Sequence, residues 1–270
     1  MTARPVARTA VSADGTPIAY RSGGVGSPLL LVHGTTSGQS RWDTLRPVLE
    51  PHATVHTVDR RGRGASGDGE VYALEREVED LVAVIEHIAG EAGTGVDVFG
   101  HSFGALVAVE AALWTTALRK LAVYEPPIGE RPAVTEEGLR TIEELAETGR
   151  GEEALETFFA LAGFHANDVA AMRAHPAWPV RVANAHTISR EIRAVLGYEL
   201  RAERFRDLDI EVLVLVGSES APAWQSRAEN LASTLPRGQL AILEGQAHEA
   251  IDTAPELFCD ALLRFFDHTA

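Results

Sequence analysis

The fold of this chain is decided by one stretch, Val96-Asp97-Val98-Phe99-Gly100-His101-Ser102-Phe103-Gly104-Ala105. Strand-forming residues lead into a Gly-x-Ser-x-Gly turn, and apolar residues at helical spacing follow it. The pattern predicts a strand, a sharp turn that carries Ser102, and a helix. Gly100 and Gly104 lack side chains that would collide with the neighbouring strand and helix, so the strained turn can project the serine hydroxyl. The five-residue pattern alone also occurs by chance, so its meaning depends on the rest of the chain.

The composition is that of an ordinary globular protein. With 270 residues, 45% of them hydrophobic and 23% charged, the chain is long enough for one large α/β domain or two small ones. A net charge of −15 repels phosphate backbones and anionic lipids, which argues against nucleic-acid and membrane partners. The single cysteine, Cys259, excludes an internal disulfide and a cysteine-rich metal site. Residues 1–5 begin no signal peptide and no long apolar window follows, so we expect a cytoplasmic protein.

Strand and helix patterns alternate along most of the chain, which predicts a mostly parallel sheet with helices on both faces. Between residues 128 and 208 the strand patterns vanish. Four helical patterns replace them, at 135–148, 152–162, 166–174 and 180–200. The sequence therefore predicts an α/β core formed by residues 1–127 and 209–270, with residues 128–208 inserted as a helical cap.

Two glycine-rich loops follow predicted strands. The first, His33-Gly34-Thr35-Thr36-Ser37-Gly38, comes after an apolar run at 28–32 and can present backbone N–H groups to a site; a plain turn is the alternative. The second, Asp59-Arg60-Arg61-Gly62-Arg63-Gly64-Ala65-Ser66, is rich in arginine. We expect Asp59 to pair with a neighbouring arginine and hold the loop, rather than an open anion site.

A serine hydroxyl becomes a good nucleophile only when a base takes its proton and a carboxylate holds that base in one tautomer. His248 follows the last predicted strand and is the candidate base. Glu125 follows the strand at 118–124, where Pro126 and Pro127 turn the chain sharply. The carboxyl edge of an open α/β sheet is where sites are built, so Glu125 is a candidate acid.

Taken together, these motifs resemble those of the α/β-hydrolase superfamily, and the resemblance covers essentially the whole chain. It rests on the His33-Gly34 loop, the arginine-rich loop, the elbow at 100–104, the cap, and Gly245-Gln246-Ala247-His248. The resemblance implies an eight-stranded, mostly parallel sheet with Ser102 as nucleophile and His248 as base. It also implies an oxyanion hole formed by the backbone N–H groups of Thr35 and Phe103.

The acid departs from the commoner pattern of the superfamily. Many members carry an aspartate where this chain has Ser220, with Glu219 beside it. Another branch places the acid directly after the strand that follows the elbow helix. Glu125 matches that placement, and the chain is similar there to fungal zearalenone-type lactonases. The predicted acid is Glu125, with Glu219 as the fallback.

A serine at the elbow argues against an epoxide hydrolase or haloalkane dehalogenase, because those reactions need a carboxylate nucleophile. The predicted reaction is hydrolysis of an ester or lactone of a small, largely apolar molecule, without cofactor or metal. Gly34, Thr36 and Trp178, together with the Phe103 ring, are expected to contact the substrate. The cap histidines (His165, His175 and His186) fit no zinc spacing.

Two other kinds of function remain open from the sequence. The same fold could serve a C–C bond hydrolase, an acyltransferase, or a cofactor-free cyclase or lyase of natural-product metabolism. A function of another class would be a non-catalytic small-molecule receptor. The substrate and the oligomeric state are undetermined, with a homodimer as one option.

Overall fold

The computed structural model describes residues 6–129, 134–164 and 166–268, so the predictions about residues 1–5 and His165 lie outside the described residues. The described strands are β1 (Val6–Val11), β2 (Pro17–Gly24), β3 (Pro28–Val32), β4 (Thr54–Val58), β5 (Val96–His101), β6 (Leu118–Tyr124), β7 (Glu211–Gly217) and β8 (Gly238–Leu243). They form one eight-stranded sheet in the order β1-β2-β4-β3-β5-β6-β7-β8.

The sheet is mostly parallel. β2 runs antiparallel to both β1 and β4. All other neighbouring strands are parallel. The predicted α/β-hydrolase fold with a mostly parallel eight-stranded sheet is therefore confirmed. In such a sheet the carboxyl ends of β3, β5, β6, β7 and β8 lie along one edge, and the loops that follow them can meet there.

Helices connect the strands and build the cap. They are α1 (Arg46–Leu49), α2 (Leu74–Ala92), α3 (Phe103–Ala111), α4 (Glu136–Glu147), α5 (Gly151–Leu161), α6 (Ala166–Ala174), α7 (Trp178–Ala183), α8 (Ile188–Gly197), α9 (Pro222–Thr234), α10 (Ala250–Thr253) and α11 (Pro255–Phe265). Four of them, α1, α7, α9 and α11, carry proline at their first or second position, where its missing N–H has no intrahelical acceptor to lose.

The single helix predicted over 180–200 is wrong. The chain there forms α7, a 3₁₀ turn at Ala185–Thr187, and α8. The break comes at Asn184, whose side-chain amide leaves the helix and donates to two backbone carbonyls of the loop after β3. Hydrogen bonds between residues far apart in the chain cannot be predicted from the spacing of hydrophobic residues.

Two apolar clusters cover the two faces of the sheet, one built mainly on α2, α3 and α9 and the other on α11 and the segment after β3. A third cluster between residues 134 and 192 belongs to the cap alone. Val195 and Phe205 join the first sheet cluster instead, so the last part of the inserted segment packs with the α/β core. None of the helices described is long and apolar enough to cross a bilayer.

Candidate active site

Ser102 lies on the turn between β5 and α3. Its backbone angles, φ 53° and ψ −123°, are rare for any residue other than glycine. Gly100 and Gly104, which flank the serine, are required because the backbone of neighbouring residues lies too close for a side chain. A Cβ on Gly100 would lie 2.6 Å from the Cα of Ala105, and a Cβ on Gly104 would lie 2.4 Å from the carbonyl oxygen of His33. The turn therefore places the serine where β3, β5 and α3 meet.

Glu125, the first residue after β6, holds His248 by a hydrogen bond. The distance between Glu125 Oε2 and His248 Nδ1 is 2.6 Å, and the carboxylate is fully buried. Its other oxygen, Oε1, accepts from the backbone N–H of Gly217 at 3.0 Å and from the hydroxyl of Ser220. Because the carboxylate occupies Nδ1, the opposite nitrogen of His248, Nε2, is left to accept a proton.

Glu125 also has an unusual backbone, with φ 47°. Glu219, the other candidate acid, has an exposed side chain, and its backbone N–H donates to the carbonyl of Gln246. The neighbouring Ser220 is buried. The structure thus brings Glu125 to the histidine and leaves Glu219 at the surface.

Aromatic rings surround His248. The ring of Trp224 stacks on it at 4.9 Å between centroids, and Phe164 meets it edge-on at 5.7 Å. His101, the residue before Ser102, lies 4.7 Å from it, and the His101 Nε2 hydrogen-bonds the carbonyl of His248. Burial, and then the nearby His248, hold the pKa of His101 well below its usual value. His101 is therefore a neutral donor that packs beside His248.

The loop after β3 runs directly against the serine. A Cβ on Gly34 would come within 2.9 Å of Ser102 Cβ, so only glycine fits there. Thr36 has a positive φ of 67°. Phe103 is the first residue of α3, and its backbone N–H therefore has no acceptor within the helix. The loop at Gly34 and the first residue of α3 therefore both adjoin Ser102.

A second buried histidine, His33, links this loop to the arginine-rich loop. The backbone N–H of Arg60 donates to His33 Nε2 at 3.3 Å. This assigns the ring proton to Nδ1, which donates to the carbonyl of Gly34 at 2.9 Å. Burial, and then Arg60, hold the pKa of His33 well below its usual value. The neutral ring thus bridges the two loops.

A cavity of about 370 Å³ opens above Ser102 and His248, a size typical of small-molecule sites. Gly34, Thr35 and Thr36 form part of its wall. Most of the other lining side chains are apolar and come from the cap and α9: Val134, Phe158, Phe159, Ala162, Phe164, Ile192, Val195, Ala223 and Trp224. Arg181 and Glu249 form a charged part of the wall.

Two predicted substrate contacts are corrected by the structure. Trp178 is not among the residues that line the cavity: it is buried in the cap, near Phe159 and under the guanidinium of Arg173. The Phe103 ring is likewise buried, beneath Arg60 at 4.6 Å. Both side chains face neighbouring helices or loops, and their direction depends on packing that sequence spacing does not reveal.

The cavity instead uses residues that the sequence reasoning missed. Trp224 lies in the first turn of α9, the helix that follows β7. Its position near the carboxyl end of a strand could have marked it as a site residue. Phe164, Arg181 and Glu249 carried no comparable signal. Within the described parts of the chain, no group of three His, Cys, Asp or Glu side chains could hold a metal ion.

The arginine-rich loop is a buried ionic network. Asp59 pairs with no arginine of its own loop. It accepts from the backbone and side-chain amides of Gln39. Arg60 and Arg63 reach across to Glu191 on cap helix α8. Burial opposes ionisation of Glu191, but these two guanidinium groups outweigh it and lower its pKa. The expected pairing of Asp59 with an arginine was wrong, but Asp59 does help to hold its own loop, because its Oδ2 also accepts from the backbone N–H of Ala65 at 3.2 Å.

Comparison with known proteins shows that the chain is similar to alpha/beta hydrolases over most of its length. A sequence model of a family described as "Alpha/beta hydrolase family" matches residues 29–261. The crystal structure of an alpha/beta hydrolase from Sphaerobacter thermophilus is 38% identical, with a TM-score of 0.83, and the match covers 96% of this chain and 100% of that one.

Two curated relatives match over shorter stretches. The N-formylmaleamate deformylase of Pseudomonas putida is 35% identical over 123 residues, 44% of each chain. The pimeloyl-[acyl-carrier protein] methyl ester esterase of Aliivibrio fischeri is 32% identical over 98 residues, 36% of this chain and 35% of the esterase. The chain therefore matches less than half the length of these two relatives.

Proposed function

This chain belongs to the alpha/beta hydrolase family, and we propose that it is a serine hydrolase that cleaves an ester or lactone of a small, largely apolar molecule. The observation that carries the proposal is the 2.6 Å hydrogen bond between Glu125 and His248 at a cavity that also contains Ser102. That two matched relatives are named an esterase and a deformylase supports acyl chemistry.

In this mechanism His248 Nε2 takes the hydroxyl proton of Ser102 while the serine oxygen attacks the carbonyl carbon of the substrate. The resulting oxyanion accepts hydrogen bonds from the backbone N–H groups of Thr35 and Phe103. The imidazolium then protonates the leaving alkoxide, and an acyl-enzyme remains on Ser102. Water, deprotonated by His248, attacks that ester and releases the acid and the free serine. Glu125 stabilises the imidazolium throughout.

The cavity wall supports an apolar substrate. Phe158, Phe159 and Ile192 from the cap face a site of about 370 Å³, which limits the substrate to a small molecule. Because the triad residues follow strands of the rigid sheet, we expect reactivity to depend on the core and selectivity to depend on the cap.

The test is hydrolysis of a panel of p-nitrophenyl esters and aryl lactones by the wild type and Ser102→Ala. The wild type should turn over short and medium acyl esters, and S102A should lose about 1,000-fold or more of kcat. Mass spectrometry of the wild type after a fluorophosphonate pulse should locate the adduct on Ser102.

Two other outcomes would favour a different function. Labelling of Ser102 without turnover of any ester or lactone would favour C–C bond hydrolysis, acyl transfer or a lyase reaction on the same fold. Absence of both labelling and turnover would favour a small-molecule receptor and overturn the proposal.

A further inference from the structure

We propose that the cap positions the oxyanion hole: Asn184, assisted by Arg181, holds the loop that carries Thr35 in its active conformation. This inference rests on the proposed function, because it concerns the donor that would stabilise the oxyanion. Both residues lie on or directly after cap helix α7, and both are almost fully buried.

The loop needs such support because its backbone is strained at Thr36. A φ of 67° is rare for any residue with a side chain and is a genuine outlier for a β-branched one. Within residues 6–129, 134–164 and 166–268, no backbone-to-backbone hydrogen bond joins Thr35, Thr36 or Ser37 to the α/β core. The conformation therefore depends on side-chain donors.

Those donors come from the cap. Asn184 Nδ2 donates to the carbonyl of Thr36 at 3.2 Å and to that of Ser37 at 3.0 Å. Arg181 Nη1 donates to the hydroxyl of Thr36 at 3.0 Å, and its Nη2 lies 3.4 Å from Glu249. One amide thus bonds two successive carbonyls, while the guanidinium of Arg181 holds the side chain of Thr36.

Cap helix α8 contacts the loop through Arg63. Glu191 on α8 is fully buried and pairs with Arg60 and Arg63. Arg63 in turn donates to the carbonyl of Ser37 at 3.4 Å. Residues 36 and 37 are therefore held by α7 directly and by α8 through Arg63.

A displaced Thr35 N–H would leave substrate binding largely intact but would weaken stabilisation of the tetrahedral intermediate. Asn184 acts through the loop and touches no reacting atom, so it is a positioning residue. A shift of about 1 Å at such a donor is enough to reduce turnover about 100-fold.

The test compares Asn184→Ala with the control Ser189→Ala. The Ser189 hydroxyl donates to the carbonyl of Leu139 inside the cap, so S189A removes a buried cap hydrogen bond without touching the loop. We expect N184A to lower kcat about 10- to 100-fold with KM changed less than about 3-fold. We expect S189A to keep kcat within about 2-fold, whatever its effect on thermal stability.

An arylboronic acid provides a second readout, because its adduct on Ser102 places an anionic oxygen in the oxyanion hole. Its Ki should rise in N184A by about the same factor as kcat falls, while binding of a non-covalent product acid stays within about 2-fold. If N184A does not fold, the same measurements are made on Asn184→Asp, which keeps the shape and loses the donors.

Two results would overturn the inference. One is a soluble N184A or N184D with wild-type kcat and boronate affinity. The other is an equal loss of activity in N184A and S189A, which would mean a purely structural role. In either case, if the wild type hydrolyses the ester and S102A does not, the proposed function still holds and only this inference fails.

Discussion

The hydroxyl of Ser220 donates a hydrogen bond to Oε1 of Glu125, the carboxylate whose Oε2 holds His248. Ser220 occupies the position where many α/β hydrolases carry their acid. The carboxylate that meets His248 thus comes from the end of β6, and the loop after β7 supplies a donor that orients it. Both groups reach the same point because the carboxyl ends of β6 and β7 are neighbours in the sheet.

The two glutamates provide the sharpest test of the triad. We expect Glu125→Gln to lower kcat by about 1,000- to 10,000-fold, because the amide stabilises the wrong tautomer of His248 and cannot stabilise the imidazolium. Glu219→Gln, whose side chain is exposed, should stay within about 2-fold of the wild type. Steady-state kinetics on one p-nitrophenyl ester measure both kcat values. A large loss in E219Q with little loss in E125Q would identify Glu219 as the acid instead.

Loss of the Ser220 hydroxyl should have an intermediate effect. Ser220→Ala removes one hydrogen bond to a charged acceptor, and Glu125 keeps the backbone donor of Gly217, so we expect kcat to fall about 10-fold. Ser218→Ala is the matched control, since the Ser218 hydroxyl accepts from the backbone N–H of Gly245 at 2.8 Å rather than binding Glu125. Equal kcat values for S220A and S218A would exclude a role for the Ser220 hydroxyl in orienting Glu125.

The elbow glycines should be intolerant of any side chain. In Gly104→Ala the new Cβ would meet the carbonyl oxygens of His33 and Val32 at 2.4 and 2.5 Å, so we expect a loss of about 1–3 kcal/mol in the free energy of unfolding. Gly90→Ala on α2, where nothing lies within 4 Å, should instead stabilise by about 0.5–1 kcal/mol. Urea unfolding measures both, and a neutral G104A would contradict the close approach.

Buried histidine makes the fold sensitive to acid. Burial lowers the pKa of His56 to about 4, and its Nδ1 hydrogen-bonds Ser22. The unfolded chain therefore binds more protons between about pH 6.5 and 4, and stability present above that range is lost as the pH falls through it. His56→Asn should remove about 2 kcal/mol of the difference in unfolding free energy between about pH 7.5 and pH 5. Identical pH profiles for the wild type and H56N would exclude this role.

The cap wall should set the length of chain that the site accepts. Ala162 lines the cavity at the end of α5, and Ala162→Phe would fill part of the about 370 Å³ available. We expect kcat/KM to fall about 10-fold or more for hexanoyl and longer esters and little for acetyl esters. Ala160→Phe, on the exposed side of the same helix, is the control. A uniform loss over all chain lengths would argue against a cavity-filling effect.

Much of the architecture could be predicted because it follows from local chemistry. Apolar runs ended by glycine or proline predicted strands at 28–32 and 118–124, and β3 and β6 begin and end at these residues. The helix predicted over 180–200 could not be divided in advance, since Asn184 leaves the helix for carbonyls about 150 residues away in the chain.

What the sequence determined by itself was the fold and the candidate reactive groups. The order of strand, Gly-x-Ser-x-Gly turn and helix requires the elbow, and a parallel sheet brings the ends of its strands to one edge. What only the tertiary structure decided was which partners those groups meet. Glu125 rather than Glu219 reaches His248, Trp178 faces the cap interior, and Asn184 holds Thr36, because side-chain direction and cap docking arise from packing between residues far apart in the chain.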